Sequence, residues 1–183
     1  MIDDPDRPAS DPTEEAARLD DSVAALAELM SRRRGGRSIA CAESFTAGLL
    51  SQAMASVEGS GDWFAGGIVT YTTASKRSVL GVRAASVVSE GCAVQMALGA
   101  ARLFGTDAAV ATTGAAGPSG QEGRSPGTVV IGWCVDGVHG ARTMELPGPP
   151  EQVVHRGVRA ALTSLSGALT DALDEDPGLP GRR

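Results

Sequence analysis

The sequence predicts an α/β fold of three layers, in which a mixed, partly parallel sheet lies between helices. Apolar strand-like runs alternate with segments of helical periodicity along most of the 183 residues, an order typical of parallel strands with helices on both faces. A late hairpin signal, Asp136 followed by Gly137, adds an antiparallel pair. The apolar residues are mostly Ala, Val and Leu, since only 3% of the chain is aromatic, so we expect one closely packed core.

The first half of the chain is predicted to begin with an irregular arm. Residues 1–12 are rich in Asp and Pro and lack periodicity, so we expect them to be disordered. Apolar residues then recur at helical spacing until a pair of glycines ends the pattern. In chain order, the predicted elements are a helix over 12–34, a strand over 38–42, a helix over 46–57, a strand that ends at Tyr71 and a helix over 73–80.

The second half contains the hairpin and the longest helix. A stretch rich in Gly, Pro and Ser over 114–126 interrupts the pattern and is predicted to be a loop. The predicted elements are a helix from Ser89 to Phe104, strands over 107–113, 128–135 and 141–146, and a helix over 151–173. We therefore expect a single domain over 13–173, followed by a flexible tail over 174–183.

Composition excludes several classes of function. The net charge is −6, whereas nucleic-acid-binding domains usually present a basic face. The sequence contains no signal segment and no apolar run of membrane-spanning length, so we expect a cytoplasmic protein without membrane contact. The three cysteines, Cys41, Cys92 and Cys134, match no metal or redox spacing. We expect all three to be reduced and Cys41 and Cys134 to be core residues, and we predict no metal and no cofactor.

Polar residues follow the predicted strands at the point where each strand ends. Ser44 follows the first strand, Tyr71 the second, and Thr113 with Gly114 the third. In open α/β sheets, ligands bind beyond the carboxyl ends of the strands. The sequence therefore predicts that these residues meet at one rim of the sheet and line a binding site.

The only lysine of the chain is a candidate general base. Fifteen of the sixteen Lys and Arg residues are arginine, and the exception, Lys76, lies five positions after the only tyrosine, Tyr71. A buried amine can lose its proton near neutral pH, whereas a guanidinium cannot. The alternative is that Lys76 is an exposed helix residue without a function.

Ser44 is a candidate nucleophile because it lies at a predicted junction between a strand and a helix. If the helix begins near Thr46, its first N–H groups point toward Ser44 and favour a phosphate or an oxyanion there. The alternative is that Ser44 only caps the helix. Glu43 is predicted to orient a neighbour or to contact a ribose hydroxyl, unless it is a solvated carboxylate.

The loop over 112–120 is a candidate phosphate-binding segment. Its glycines allow backbone N–H groups to approach an anion, although no Gly-Lys-Ser or Gly-Lys-Thr follows, as a Walker loop requires. The pair Tyr71 and Lys76 also differs from that of short-chain dehydrogenases, because four residues separate them instead of three. No glycine-rich dinucleotide turn follows the first strand, which argues against that class.

Several motifs in one order resemble a known family. They are AESFTAGLL at 42–50, GIVTYTTASK at 67–76, LGV at 80–82, VS at 88–89, TGAAGP at 113–118 and PGTV at 126–129. Together they resemble the C-terminal domain of the competence/damage-inducible protein CinA, over roughly residues 20–170. That family includes nicotinamide-mononucleotide amidases.

The resemblance implies an amidase that converts nicotinamide mononucleotide to nicotinate mononucleotide and ammonia. It implies that Ser44 is the nucleophile, Lys76 its base and Tyr71 a proton relay or positioning group. It also implies a stand-alone form of a domain that is often fused to another, and self-association into a homo-oligomer. The predicted substrate-binding residues are Glu43, Thr46, Ala47, Gly48, Thr113, Gly114, Gly117 and Arg124.

Three positions depart from the family pattern and leave the substrate open. Phe45 and Ala47 stand where the family usually has Cys and Gly, and Gly66 stands where Arg is common. We expect Phe45 to narrow the pocket, Ala47 to obstruct a backbone approach, and Gly66 to remove a phosphate contact. Two alternatives therefore stay open: a nucleotide-binding domain with little or no turnover, and an amidase for another nucleotide-like amide.

Overall fold

A computed structural model describes residues 12–32 and 37–174 of the protein. The helices are α1 (Pro12–Arg32), α2 (Leu49–Ala55), α3 (Thr73–Leu80), α4 (Glu90–Phe104) and α5 (Pro150–Asp174), with a 3₁₀ turn at Ser60–Asp62. The strands are β1 (Ile39–Glu43), β2 (Phe64–Val69), β3 (Ala108–Ala115), β4 (Thr128–Val135) and β5 (Val138–Glu145). Apart from Pro12 and Asp174, the predicted arm and tail lie outside the described residues.

The five strands form one mixed sheet in the order β2-β1-β3-β4-β5. Strand β1 pairs in parallel with β2 and β3, and β4 pairs antiparallel with β3 and β5. Asp136 and Gly137, with φ of 51° and 87°, form the tight turn between β4 and β5. The turn is short enough for pairing to begin at Val138, three residues before the predicted start of that strand. The α/β fold with a mixed sheet is thus confirmed.

The core is divided into two layers by the sheet. Because side chains alternate along a strand, Ile39 and Cys41 of β1 pack with α1, α2 and α5, while Ala40 and Ala42 pack with α3 and α4. All five residues of β1 are buried, as expected for a central parallel strand. The end of this buried strand carries the candidate nucleophile, Ser44.

Three further predicted boundaries differ from the structure. The second helix begins at Leu49 and not near Thr46, because Ala47 and Gly48 adopt left-handed φ values of 50° and 111° that no α-helix allows. Strand β2 ends at Val69 instead of Tyr71, and β3 continues to Ala115.

Phe45 packs into a small apolar cluster, and it also belongs to the lining of the cavity beside Ser44, where it was expected to narrow the pocket. Its side chain is 8% exposed and lies with Val129 and Val153. The ring covers Gly157 of α5, where an added Cβ would lie 2.5 Å from Phe45 Cζ. The bulk that replaces the family's cysteine is therefore taken up by a helix that has a glycine opposite the ring.

Gly66 also differs from its predicted role. It lies in β2 with φ of 140°, and an added Cβ would lie 2.9 Å from Phe104 Cε1. A side chain at this position would meet α4, so its absence does not remove a phosphate contact from the rim. Within residues 12–32 and 37–174, no helix has the length and hydropathy needed to cross a bilayer.

We expect Gly157→Ala to reduce the free energy of unfolding by about 1–3 kcal/mol, because the new methyl overlaps the Phe45 ring. The matched control is Gly167→Ala on the same helix, where no atom lies within 4 Å. There the change should stabilise the protein by up to about 1 kcal/mol through helix propensity. Urea denaturation of both variants measures the difference. In the double variant with Phe45→Cys, the Gly157→Ala change should cost less free energy of unfolding than it does alone. If the effects of the two changes simply add, the Phe45 ring does not pack on Gly157.

Candidate active site

Ser44 and Lys76 are in direct contact at the carboxyl end of β1. Ser44 is the first residue after β1, and Lys76 reaches it from α3. Lys76 Nζ lies 2.8 Å from Ser44 Oγ, and the two residues are 1% and 7% exposed. Thr72 caps α3 by accepting from the Ser75 N–H, so α3 begins at a defined residue. The lone lysine is thus buried against the predicted nucleophile and is not a solvated helix residue.

Two backbone carbonyls fix the direction of the Lys76 amine. Nζ also lies 2.8 Å from the carbonyl oxygen of Thr70 and 3.2 Å from that of Tyr71. A neutral amine has two hydrogens and one lone pair. When the hydrogens are donated to the two carbonyls, the lone pair points toward Ser44 Oγ. The geometry therefore suits a base that accepts the serine proton.

Burial lowers the pKa of Lys76 below its ordinary value of 10.5. Removal of water penalises the ammonium form, while the charges of Cys92 and Glu122 act in the opposite direction. Burial also raises the pKa of the Cys92 thiol to about 11. The balance favours a lysine that can be deprotonated at accessible pH, as a general base requires.

Tyr71 lines the same cavity as Ser44, but its side chain is 68% exposed. Its backbone carbonyl contacts Lys76, whereas its hydroxyl has no hydrogen-bond partner among the described residues. The structure therefore brings Ser44 and Lys76 together and leaves the Tyr71 hydroxyl outside that contact.

Glu43 is buried and engaged by internal donors, which corrects the predicted ribose contact and the solvated alternative. Its Oε2 accepts from the N–H groups of Gly48 (2.9 Å) and Leu50 (3.1 Å) and from Thr46 Oγ1 (2.7 Å). Its Oε1 accepts from Ser51 N (2.8 Å) and Ser51 Oγ (2.5 Å). Glu43 thus holds the turn that carries Ser44 and caps α2.

This capping changes the predicted anion site. The first N–H groups of α2 point at the Glu43 carboxylate and are not available to a ligand. A phosphate at the same helix end would meet the negative charge of Glu43 instead of free N–H donors. The prediction that a phosphate binds at the start of this helix is therefore wrong, and Gly48 and Thr46 serve the internal network.

A chain of hydroxyl groups extends from Glu43 to the backbone of Ser44. Because Thr46 Oγ1 donates to Glu43, Thr112 Oγ1 is the donor in its 2.8 Å contact with Thr46. The Ser44 N–H in turn faces Thr112 Oγ1 at 3.5 Å. Thr112, which the sequence placed inside a strand, thus links β3 to the position of the nucleophile.

The cavity beside Ser44 has a volume of about 270 Å³. Its lining residues are Ser44, Phe45, Tyr71, Gly114, Ala115, Ala116, Gly117, Ser119, Gly120 and Gln121. Gly114, near the end of β3, has φ of 155°, and an added Cβ would lie 2.5 Å from the Thr128 carbonyl oxygen, so this position requires glycine. Residues between 114 and 121 form much of the wall, and phosphate binding by the segment 112–120 stays a prediction.

Of the eight predicted binding residues, Gly114 and Gly117 belong to the lining and six do not. Besides the three that serve the internal network, these are Ala47, Thr113 and Arg124. Thr113 is 1% exposed and its hydroxyl donates to the Val87 carbonyl at 2.6 Å. Arg124 is exposed on a turn beyond the loop and is not part of the lining. No Lys or Arg side chain belongs to the described lining. A second cavity, of about 340 Å³, lies beside Trp63 at the opposite end of the sheet, remote from Ser44.

Metal ligation has no support among residues 12–32 and 37–174, which contain no cluster of three or more His, Cys, Asp and Glu side chains. The three cysteines are buried and unpaired. Burial raises the pKa of Cys41 to about 12, so this group is a protonated thiol at neutral pH.

Comparison with known proteins identifies the family. The profile of the CinA C-terminal domain matches residues 21–169. The chain belongs to this family. A CinA-like protein of Mycolicibacterium gilvum is 42% identical to this CinA C-terminal domain over 165 residues, which cover 86% of the chain and 37% of that protein. One from Mycobacterium avium is 41% identical over 172 residues, which cover 87% of the chain and 38% of that protein. The chain thus spans less than two fifths of these curated relatives.

Solved structures of the same superfamily share the fold. The competence damage-inducible protein A of Klebsiella pneumoniae is 36% identical, with a TM-score of 0.78 over 83% of this chain and 97% of that one. A CinA superfamily protein of Escherichia coli is 28% identical, with a TM-score of 0.75 over 93% of this chain and 99% of that one. The family recognised from the motifs is therefore confirmed.

Replacing Glu43 with Gln should lower the free energy of unfolding by about 3 kcal/mol or more. The side-chain amide places N–H donors against backbone N–H donors that are buried, and two or more hydrogen bonds to a charged acceptor are lost. The matched control is the exposed Glu58, whose change to Gln should cost less than about 0.5 kcal/mol. Chemical denaturation with an unchanged m-value tests this. A loss under about 1 kcal/mol at Glu43 would show that the network is not needed.

Proposed function

We propose that this domain is an amidohydrolase in which Ser44 is the nucleophile and Lys76 its general base. The observation that carries the proposal is the 2.8 Å contact between the buried Lys76 amine and Ser44 Oγ at the edge of a cavity. A lowered pKa of the amine and two carbonyl acceptors that orient it support the same assignment.

In the first half-reaction, Lys76 accepts the Ser44 proton as Oγ attacks the carbon of the substrate amide. The N–H groups of Phe45 and Thr46, for which no acceptor is recorded in the described part of the chain, are candidates to bind the oxyanion. Lys76 then returns the proton to the leaving nitrogen, so the C–N bond breaks and ammonia departs. Water, deprotonated by the same amine, hydrolyses the acyl ester and regenerates Ser44.

The substrate we propose is nicotinamide mononucleotide, which would give nicotinate mononucleotide. This choice is based on the motifs shared with a family that includes such amidases, and the cavity beside Ser44 supports a small-molecule substrate. Since no cationic side chain belongs to the described lining, the phosphate would be bound by backbone N–H groups and hydroxyls of the glycine-rich loop.

A second candidate is a domain of the same fold that binds the nucleotide with little turnover. The exposed side chain of Tyr71 favours it, because that hydroxyl makes no contact with Ser44 or Lys76 among the described residues. Incubating the pure protein with nicotinamide mononucleotide separates the two. Release of ammonia with nicotinate mononucleotide supports the amidase, and saturable binding without ammonia supports the second candidate. Release of ammonia only from other nucleotide-like amides would identify a different substrate.

We expect Lys76→Arg to reduce turnover about 10²-fold or more, because the charge is kept but the deprotonatable amine is lost. Ser44→Ala should be comparably inactive, and the double variant little worse than either, since the two act as a unit. Steady-state ammonia release measures the effect. The control is Arg77→Lys, an exposed neighbour on α3, which should retain activity. Near-normal turnover in Lys76→Arg would refute the base assignment.

The pH profile provides an independent test. Lys76 acts only when neutral, so kcat/KM should rise as pH increases through the pKa of Lys76 in the free enzyme. Because burial lowers that pKa, the midpoint should lie clearly below 10.5. Measurements between about pH 6 and pH 10 cover the ordinary range of lowered lysine pKa values. A profile that is flat over this interval would mean that Lys76 does not titrate during the reaction.

A further inference from the structure

The outer wall of the cavity ends in a small hairpin with a strained tip. Gln121 and Arg124 exchange two backbone hydrogen bonds, of 3.1 and 2.9 Å. Between them, Glu122 and Gly123 have φ of 51° and 76°, so both residues of the turn are left-handed. Glycine adopts this conformation freely, but a glutamate does so at a cost. A strained non-glycine residue beside a cavity is a reason to examine its side chain.

The Glu122 side chain binds the segment 86–88, which precedes α4, and we call this set of hydrogen bonds the hook. Its Oε2 accepts from Ser86 Oγ at 2.6 Å, from Val87 N at 2.8 Å and from Val88 N at 3.2 Å. These hydrogen bonds, that of Ser86 foremost, lower the pKa of the Glu122 carboxyl, so it is an ionised acceptor at neutral pH. One carboxylate oxygen thus connects two loops that are more than 30 residues apart in the chain.

The anchored segment is itself fixed to the sheet. Thr113 Oγ1 donates to the Val87 carbonyl at 2.6 Å, which ties the segment to β3. On the other side of the hook, Ser119, Gly120 and Gln121 line the cavity. The carbonyl of Arg124 lies directly against Gly120, where a Cβ would overlap it. The sheet, the anchored segment, Glu122 and the cavity wall therefore form one continuous set of contacts.

We propose that Glu122 is a positioning residue whose hook holds the wall at 119–121 in place against the substrate. The expected change in KM rests on the proposed amidase function. The expected ordering of residues 119–121 does not depend on it. Without the Glu122 contacts, the exposed hairpin 121–124 keeps its two backbone hydrogen bonds but loses its hydrogen bonds to the segment 86–88. The substrate would then have to order the wall on binding, which weakens binding while the contact between Ser44 and Lys76 stays in place. Loss of the Glu122 charge also lowers the pKa of Lys76, so kcat is compared at a pH at which Lys76 is neutral in every variant.

Three variants separate the hook from the charge. Glu122→Gln keeps a side-chain oxygen that can accept from the same three donors and removes the charge. Glu122→Ala removes both. Glu58→Ala makes the same change of charge beside the remote cavity at Trp63 and is the matched control.

We expect Glu122→Ala to raise KM for nicotinamide mononucleotide roughly tenfold with kcat changed less than about twofold. Glu122→Gln and Glu58→Ala should stay within about twofold of the wild type in KM. Amide hydrogen exchange of the full chain, without substrate, is the second measurement. In Glu122→Ala, the N–H groups of Val87 and Val88 and those of residues 119–121 should exchange about tenfold faster or more, and in Glu122→Gln they should not.

The outcomes distinguish failure of the hook from failure of the proposed function. If the wild type does not release ammonia, the amidase proposal fails, while hydrogen exchange still tests the hook. Faster exchange at 87 and 88 without any change at 119–121 would overturn the hook. An unchanged KM in Glu122→Ala, or a rise in KM in Glu122→Gln as large as in Glu122→Ala, would also overturn it.

Discussion

The buried carboxylate of Glu43 is the constraint on which the candidate site depends. It is the last residue of a strand that is buried along its whole length, so its side chain is directed into the core and not toward water. An ionised group in that position requires several donors. The chain supplies them from the next eight residues, by turning sharply so that Gly48, Leu50 and Ser51 present N–H groups to it. The turn that satisfies Glu43 is the same turn that presents Ser44 at the rim.

Lys76 is also a buried ionisable group, but it is a donor and is held by acceptors. Its amine has three partners, and two of them are backbone carbonyls at the end of β2. Carbonyl acceptors satisfy the N–H groups without supplying a full negative charge, so burial still lowers the pKa of the amine. A carboxylate in the same place would form an ion pair and keep the lysine protonated. Two carboxylates of this region accept from other donors: Glu43 caps α2, and Glu122 accepts from the segment before α4.

The sequence predicted the fold well because the fold depends on local patterns and on topology, whereas the pairing of Ser44 with Lys76 was implied by the resemblance to the family. Apolar alternation identified the strands, and parallel strands place their carboxyl ends at one rim. The chain's single lysine was informative because only an amine can lose its proton there. The start of α2 and the role of Glu43 were missed, since propensity does not reveal that a distant side chain will capture the first N–H groups of a helix. Thr112 and Glu122 were missed for the same reason: their partners, Thr46 and Ser86, are far away in the chain.

Backbone strain in the described chain is concentrated around the cavity. Three described non-glycine residues have positive φ: Ala47, Glu122 and Asp136. Asp136 occupies the tight β4–β5 hairpin, where a left-handed residue is required by the twist of the strands. The other two flank the cavity, one in the turn that carries Ser44 and one at the tip of the opposite wall. Each belongs to a segment held by a carboxylate that accepts backbone N–H groups, Glu43 in the first case and Glu122 itself in the second. Because one side-chain oxygen that accepts several donors ties two segments together, it can offset the cost of a left-handed residue where an exposed loop has little apolar packing. Both walls of the site are therefore positioned by side-chain oxygens that accept backbone N–H groups, and the apolar core lies beneath them.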